Sequence, residues 1–543
     1  MSRQPLLAGP WDLVVIGGGI TGAGILLEAA RRGVRALLVE QRDFAWGTSS
    51  RSSKLVHGGL RYLKEGQFGL TRESVHEREH LLQQAAGLVE PQSFAFGDYV
   101  GRKPGKRAFL VGLAIYDRMA GQRGRHYFGR DEFVAMAPNV ATDGLQGGMV
   151  YTDAKTDDAR LVLRVLQEAR QHGGVAVNYM AVESLLHEDG EVCGVRLRDG
   201  LNGESREVRA RLVISATGAW ADRLRVPAAD GPLAPDGPGG GGAGAAAPTG
   251  GAVAGQRLRP LRGSHLVLPA WRLPLAQAIS LMHPADGRPV FAYPWEGVTL
   301  VGTTDVDHAD DLSREAAITR AECDYLMAAL HAQFPQLHLT DDDIIATYAG
   351  VRPVIDSGKA DPSKETRDHA LWLEHGLLTV TGGKLTTFRV IALDALKLAA
   401  TRLQDVPGLQ GQLTPQPVFA ASPPLRYTPE LPPGQAQRMQ GRYGAAAQAL
   451  VDAAQDGELA CIPGTETIWA QLRWAARKED VCKLEDLLLR RTRIGIQLRG
   501  GGIDILPRIR SICQPELGWS DERWAEEHRA YLALWAAHYN LPE

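Results

Sequence analysis

Three glycines and an acid near the N-terminus have the spacing that most directly implies chemistry. In the stretch Trp11 to Gly22, an apolar run from Leu13 to Ile16 leads into Gly17, Gly19 and Gly22. A second apolar run, Ala36 to Val39, ends at Glu40. Gly17 permits a tight turn, Gly19 lets the backbone approach a pyrophosphate, and Gly22 lets the following helix pack against the strand. Free N–H groups and the dipole at a helix start favour an anion. Glu40, at about the ~20-residue spacing expected of such an acid, is placed to accept hydrogen bonds from a ribose hydroxyl. This is the chemistry of dinucleotide binding, and strand, helix and acid together set it apart from an ordinary Gly-rich turn. A second transition of this kind runs from Leu378 through Gly382, Gly383 and Lys384 to Phe388. A cation at a helix start opposes the dipole, so Lys384 implies an anion nearby unless it faces solvent. His265 begins an apolar strand and can take a proton near neutral pH, although a histidine there also suits a purely structural role.

These residues need elements to position them. Strands are expected at Leu13–Ile16, 36–39, 175–177, 192–197, 212–216, 264–268, 290–293 and 298–302, with helices at Ala23–Arg32 and at 158–173. In the latter, Leu161, Val162, Val165, Leu166 and Ala169 share a face. The stretch 227–256, Gly/Ala/Pro-rich and almost without bulky apolar residues, reads as a flexible surface insertion. Prolines across 404–435 read as an interdomain linker, and 436–543 as a helical C-terminal domain.

The chain has 543 residues, a net charge of −3 and 44% hydrophobic residues, an ordinary globular composition that gives no reason to expect nucleic acid. Five cysteines, none in C-x-x-C spacing, argue for reduced thiols in a cytosolic setting and against a zinc site or any other metal. A signal-peptide layout is missing, and no run reaches the ~18 apolar residues of a membrane span. With the fingerprint at the extreme N-terminus and no second G-x-G-x-x-G for a nicotinamide, FAD lying across several discontinuous segments is the expected cofactor. The substrate itself is then the reductant.

The stretch Gly47-Thr-Ser-Ser-Arg-Ser-Ser-Lys-Leu-Val-His-Gly-Gly-Leu-Arg-Tyr-Leu63 resembles the signature of FAD-dependent, quinone-linked glycerol-3-phosphate dehydrogenases. Similar blocks follow in order: Tyr151 to Leu161, Val301 to Asp305, Tyr348 to Pro353, Thr366 to Asp368, Gly382 to Thr387 and Arg490 to Thr492. The insertion at 227–256 departs from the family pattern but replaces no motif residue.

The resemblance implies a mixed α/β and antiparallel-β architecture. A discontinuous Rossmann-like FAD-binding domain is expected over 11–90, 145–225 and 350–402, and an antiparallel-sheet substrate domain over 91–144 and 257–349. It also implies roles. Arg61, Tyr62, Arg352, Arg367 and Lys384 would bind the substrate phosphate or hydroxyl. His265, with Arg352 and Lys384, would make up the catalytic set. Beyond Gly17, Gly19, Gly22 and Glu40, the cofactor would meet Thr48, Ser49, Ser53, His57, Ala216, Gly218 and Gly383, the hydroxyls of 48–53 reaching phosphate and ribitol.

The implied reaction oxidises sn-glycerol 3-phosphate to dihydroxyacetone phosphate and passes electrons to ubiquinone or menaquinone. An oxidase that releases hydrogen peroxide, and a flavoprotein that senses without turnover, are the alternatives. The segment 102–130 sets an apolar run inside many Arg and Lys. It reads as a membrane-surface segment or as a core helix with a basic rim, and the family's quinone use favours the former. The implied location is cytoplasmic, on the inner face of the plasma membrane. The sequence leaves the oligomeric state open, a homodimer included.

Overall fold

The dinucleotide unit forms where the glycine spacing places it. The computed structural model describes residues 4–64, 66–102, 105–121, 124–225, 258–356 and 368–542. Trp11–Ile16 and Ala36–Val39 are parallel neighbours, joined by the helix Ile20–Ala30. Gly17 has φ +113°, and a Cβ there would lie 2.5 Å from the Ala216 carbonyl oxygen. A Cβ on Gly22 would lie 1.9 Å from the Gly17 carbonyl oxygen, so the turn closes only without side chains.

In the first sheet Leu377–Gly382, Ser205–Ser215, Trp11–Ile16, Ala36–Val39 and Val175–Val177 run parallel, with His369–Glu374 antiparallel at one edge. Met180–Glu188 and Glu191–Asp199 form a hairpin that pairs with the start of Ser205–Ser215. The helices Ile20–Ala30, Asp158–Gln171 and Phe388–Ala399 pack together in this sheet's core. All five residues of the predicted apolar face of Asp158–Gln171 are buried, and the Asp157 carboxylate caps its start by accepting the Arg160 N–H.

The second sheet runs Val306–Asp307, Leu258–Pro269, Val298–Gly302, Pro289–Trp295, Ala278–Met282, Val89–Tyr99, Leu145–Thr156, Leu55–Val56, with Ala346–Ile355 also paired to Leu258–Pro269. It is antiparallel but for one pairing, that of Ala278–Met282 with Val89–Tyr99. Leu145–Thr156 and the 350–355 part of Ala346–Ile355, allotted by sequence to the cofactor domain, pair into this sheet. Apolar alternation says which face of a strand is buried but not which strand lies beside it.

The proline-rich stretch is not a free linker. Leu409, Leu413, Val418 and Phe419 are buried in the first core. Arg31, Arg32 and Arg389 donate to the carbonyl oxygens of Val418, Thr414 and Gln416. Four apolar side chains suffice to dock it; counting prolines misses them. The insertion expected at 227–256 lies outside the described residues.

The last segment is helical, from Pro433–Tyr443 through Trp469–Lys478 and Leu506–Leu517 to Asp521–His538. Its Trp469, Leu472, Leu487 and Ile509 share a core with Phe94, Tyr293 and Tyr348 of the second sheet. It also reaches the first sheet through Asp43, which follows Ala36–Val39. The carboxylate of Asp43, wholly buried, accepts hydrogen bonds from Arg490 and Arg491 at 2.6 Å. Burial works to raise the Asp43 carboxyl, but the Arg491 and Arg490 charges outweigh it and hold it at about 2. A carboxylate so depressed stabilises the fold fully above its ordinary 3.8 and loses that contribution as pH falls through 2. An Asp43→Ala variant leaves two buried guanidinium groups without their shared partner. It is expected to lose about 3–5 kcal/mol of unfolding free energy at neutral pH, read by urea denaturation.

Candidate active site

A cavity of about 1250 Å³ opens at the carboxyl ends of Trp11–Ile16, Ser205–Ser215 and Leu377–Gly382. Open parallel sheets bind ligands at this place. One wall belongs to the first sheet and the opposite wall to the second, where His265, Thr303 and Arg352 face it.

At the first-sheet end Gly17, Gly19, Ile20 and Thr21 line the cavity. The helix start has glycine at its cap, and the Ile20 N–H is taken by Ser49 Oγ at 3.0 Å from across the turn. Glu40 accepts the Gly18 N–H at 2.7 Å and the Arg42 N–H at 2.8 Å, one on each carboxylate oxygen. Each oxygen keeps a lone pair for a further donor. Met180 to Ser184, from the hairpin, extend this end.

The loop from Gly47 to Ser53 ties the two sheets together. Thr48 Oγ1 donates to the Val351 carbonyl oxygen, Ser52 Oγ donates to Asp158 at 2.8 Å, and Ser53 Oγ meets His265 Nε2 at 2.9 Å. The Thr48 and Ser53 hydroxyls, expected on phosphate and ribitol, are thus engaged with the protein, though both residues line the cavity.

At the far end three candidate groups converge. His265 is 2% exposed and stacks on Tyr348 with 4.6 Å between ring centres. Its Nδ1 is buried without a hydrogen-bond partner among the described residues. Burial, then the charges of Lys54 and Arg352, hold its imidazole well below the usual 6.5, so it is neutral near pH 7. Arg352 pairs with the buried carboxylate of Asp305, which Arg288 also approaches at 3.3 Å. Lys384, just after the Gly382–Gly383 turn, donates from Nζ to Ser74 Oγ at 2.5 Å and lies 4.5 Å from the centre of the Tyr62 ring.

Of the expected residues, Gly17, Gly19, Glu40, Thr48, Ser49, Ser53, His57, Ala216, Gly218, His265, Arg352, Gly383 and Lys384 line this one cavity. Gly22 does not, because its work is the helix–strand contact. Tyr62, expected on substrate, is 3% exposed, with Lys384 Nζ against its ring and no hydrogen-bond partner for its hydroxyl among the described residues. Arg61 lies on the short helix Leu60–Lys64. Its side chain and the whole of Arg367 lie outside the described residues.

Comparison with known proteins decides the family. Residues 12–389 match the family model described as FAD dependent oxidoreductase, and residues 401–524 match that of the C-terminal domain of alpha-glycerophosphate oxidase. The chain is 38% identical over 404 residues to the aerobic glycerol-3-phosphate dehydrogenase of Staphylococcus aureus, covering 74% of this chain and 68% of that protein. The chain belongs to the FAD-dependent glycerol-3-phosphate dehydrogenase family. Among solved structures, the glycerol-3-phosphate dehydrogenase from Bacillus halodurans complexed with FAD aligns with TM-score 0.73 and 26% identity over 99% of this chain and 97% of that one. The L-alpha-glycerophosphate oxidase from Mycoplasma pneumoniae with FAD bound aligns with TM-score 0.54 over 72% of this chain and 95% of that one; at 18% identity it shows the shared fold.

FAD is the cofactor of this dehydrogenase family, and the residues present fit it. Gly19 faces the cavity where a Cβ would come within 3.1 Å of Ser49 Oγ, so the glycine keeps the helix start open to a pyrophosphate. Glu40 has acceptor capacity left for a ribose. The cavity continues past Ala216, Gly218 and Gly383 to the far end. Residue types alone did not single out Thr303, Asp305, Lys54, Arg42 or Trp46. Arg42 lies over the Trp46 ring at 4.3 Å, and both line the cavity. For Thr303, Asp305 and Lys54 a signal existed, since they lie inside the blocks that carry the family resemblance.

Proposed function

We propose that this protein oxidises sn-glycerol 3-phosphate at C2 to dihydroxyacetone phosphate and passes the electrons to a membrane quinone. What carries the reading is one juxtaposition: a neutral His265 and the cations of Arg352 and Lys384 border the same cavity as the Gly17–Gly19 turn. FAD, when bound, supplies the acceptor for the C2 hydride. The chain supplies the rest. Arg352 and Lys384 hold the phosphate, a planar fork and a point charge respectively, and Asp305 fixes the fork in place. His265 takes the C2 hydroxyl proton. With Nδ1 closed off, Nε2, which already meets the Ser53 hydroxyl, is the atom that accepts it. Phosphate held at two cations fixes which face of C2 is presented, so glycerol without phosphate is a far poorer substrate.

A membrane acceptor is supported by the helix Lys106–Ala120. Leu113 and Tyr116 are buried, while Val111 is 61% and Ile115 38% exposed beside exposed Lys106, Arg107 and Arg118. Its inner half is core and its outer half is apolar with a basic rim, the pattern of peripheral binding at the inner face of the plasma membrane. Arg102 is spent inside the protein, donating to the Gly97 carbonyl oxygen at 2.6 Å and lying over Phe96. Among the described residues no helix is long and apolar enough to cross a membrane. The oxidase alternative is favoured by the match of 401–524 to an alpha-glycerophosphate oxidase domain. The test is the reoxidation of substrate-bleached enzyme. Rapid recovery of flavin colour with quinone in anionic vesicles, and slow recovery in air, supports the dehydrogenase. Recovery in air at the turnover rate, with stoichiometric peroxide, gives the reaction to the oxidase.

A further inference from the structure

Behind the reacting end lies a cation that does not touch the cavity. Lys54 is 0% exposed. Its Nζ donates to the Ser50 carbonyl oxygen at 2.9 Å and to Asp158 Oδ1 at 3.0 Å. It also lies 4.6 Å from the centre of the Tyr348 ring, the ring on which His265 stacks. Ser53, its neighbour in the chain, holds His265 Nε2. Burying an ammonium is costly, and a buried ion pair is often no more stable than an apolar pair of the same volume. Fold stability alone does not account for a lysine here.

We propose that Lys54 is a positioning residue for the proton acceptor: its buried ammonium, set against Tyr348 and Asp158, keeps the His265 imidazole neutral and ready for the substrate hydroxyl proton. The proposal rests on the reading of His265 as that acceptor.

Tyr348 and Arg352 face His265 from Ala346–Ile355, Ser53 and Lys54 from the cofactor loop, and Gly302 from Val298–Gly302. Two of these are charged, Lys54 and Arg352, and the latter is paired with Asp305. Lys54 is faced by Asp158 and Asp157 at the start of Asp158–Gln171, by the Trp295 and Tyr348 rings, and by Arg493 of the helical segment. Arg493 lies 3.4 Å from Asp158 Oδ1 and donates to the same Ser50 carbonyl oxygen at 2.6 Å. Burial first, and then Arg493, pull the Lys54 ammonium down to about 7 against the pull of Asp158 and Asp157. As pH falls through 7 the proton therefore goes to Lys54, and the charge so formed opposes a second proton on His265.

The test uses FAD-loaded protein with 15N-labelled histidine. The His265 resonance, one of 15 histidines, is assigned by its loss in a His265→Gln variant. Its titration is followed by NMR, alongside the pH dependence of flavin bleaching by substrate. Lys54→Met is expected to raise the pH at which His265 titrates by about one unit, tenfold in proton affinity. The acid limb of the bleaching rate should rise with it. Asp158→Asn removes a charge that helps Lys54 keep its proton, so it is expected to move both the same way by a smaller amount, which supplies the test should Lys54→Met fail to retain FAD. A His265 that titrates at the same pH in parent and variant, or stays neutral down to the same limit in both, overturns the proposal. A His265→Gln variant that keeps the acid limb overturns the acceptor reading itself. If it removes the limb while Lys54→Met leaves the titration in place, the acceptor reading stands and the role of Lys54 falls.

Discussion

A Gly22→Val enzyme is expected to purify without FAD. Even a Cβ at this position would lie 1.9 Å from the Gly17 carbonyl oxygen, inside any attainable contact. To relieve it, either Ile20–Ala30 must move off the sheet or the turn at Gly17 must open. The turn is fixed in turn by Ala216, whose N–H donates to the Ile16 carbonyl oxygen at 2.8 Å. Movement of the helix displaces its N-terminus from the pyrophosphate position. A cost of ~4 kcal/mol there weakens FAD binding about 1000-fold. Flavin-to-protein ratio after desalting, and titration of the apoprotein with FAD, measure it. A fold still intact by circular dichroism separates lost binding from lost structure, and normal flavin content would show that the turn accommodates a side chain.

Arg352→Met is expected to lower kcat/KM about 1000-fold, with both constants affected. In the proposed reaction the guanidinium both binds phosphate and aims C2, so its loss would reach the transition state as well as the ground state. Truncating one partner of a close charge pair costs about 2–5 kcal/mol, partly because the other charge is left behind. Here that charge is Asp305, with its side chain 2% exposed, which Arg288 approaches at 3.3 Å. Arg352→Lys restores the charge without the fork and is expected to recover part of KM and little of kcat. Steady-state rates with an artificial acceptor read both variants, and a change confined to KM would place Arg352 in simple attraction.

How much of this was legible beforehand varied with distance along the chain. The glycine turn, the Ala36–Val39 strand and the amphipathic Asp158–Gln171 helix are written in contiguous residues, and spacing alone locates them. The order of blocks also placed Arg352 and Lys384, and the family resemblance placed His265, as candidates for one site. What spacing does not encode is pairing between distant segments. Thr48 bonds to Val351 and Ser53 to His265, partners more than 200 residues away that spacing does not reveal. Nor does spacing show that the short helix Leu60–Lys64 sets Tyr62 against Lys384. The docked proline-rich stretch and the Asp43–Arg490–Arg491 contact depend on tertiary partners in the same way.

The most direct measurement is an anaerobic titration of the FAD-loaded protein with sn-glycerol 3-phosphate. The geometry of His265, Arg352 and Lys384 predicts that the flavin absorbance bleaches with substrate in stoichiometric amount, that dihydroxyacetone phosphate appears in step, and that glycerol at the same concentration leaves the spectrum unchanged. A spectrum unmoved by saturating sn-glycerol 3-phosphate, or bleached equally by glycerol, would contradict it.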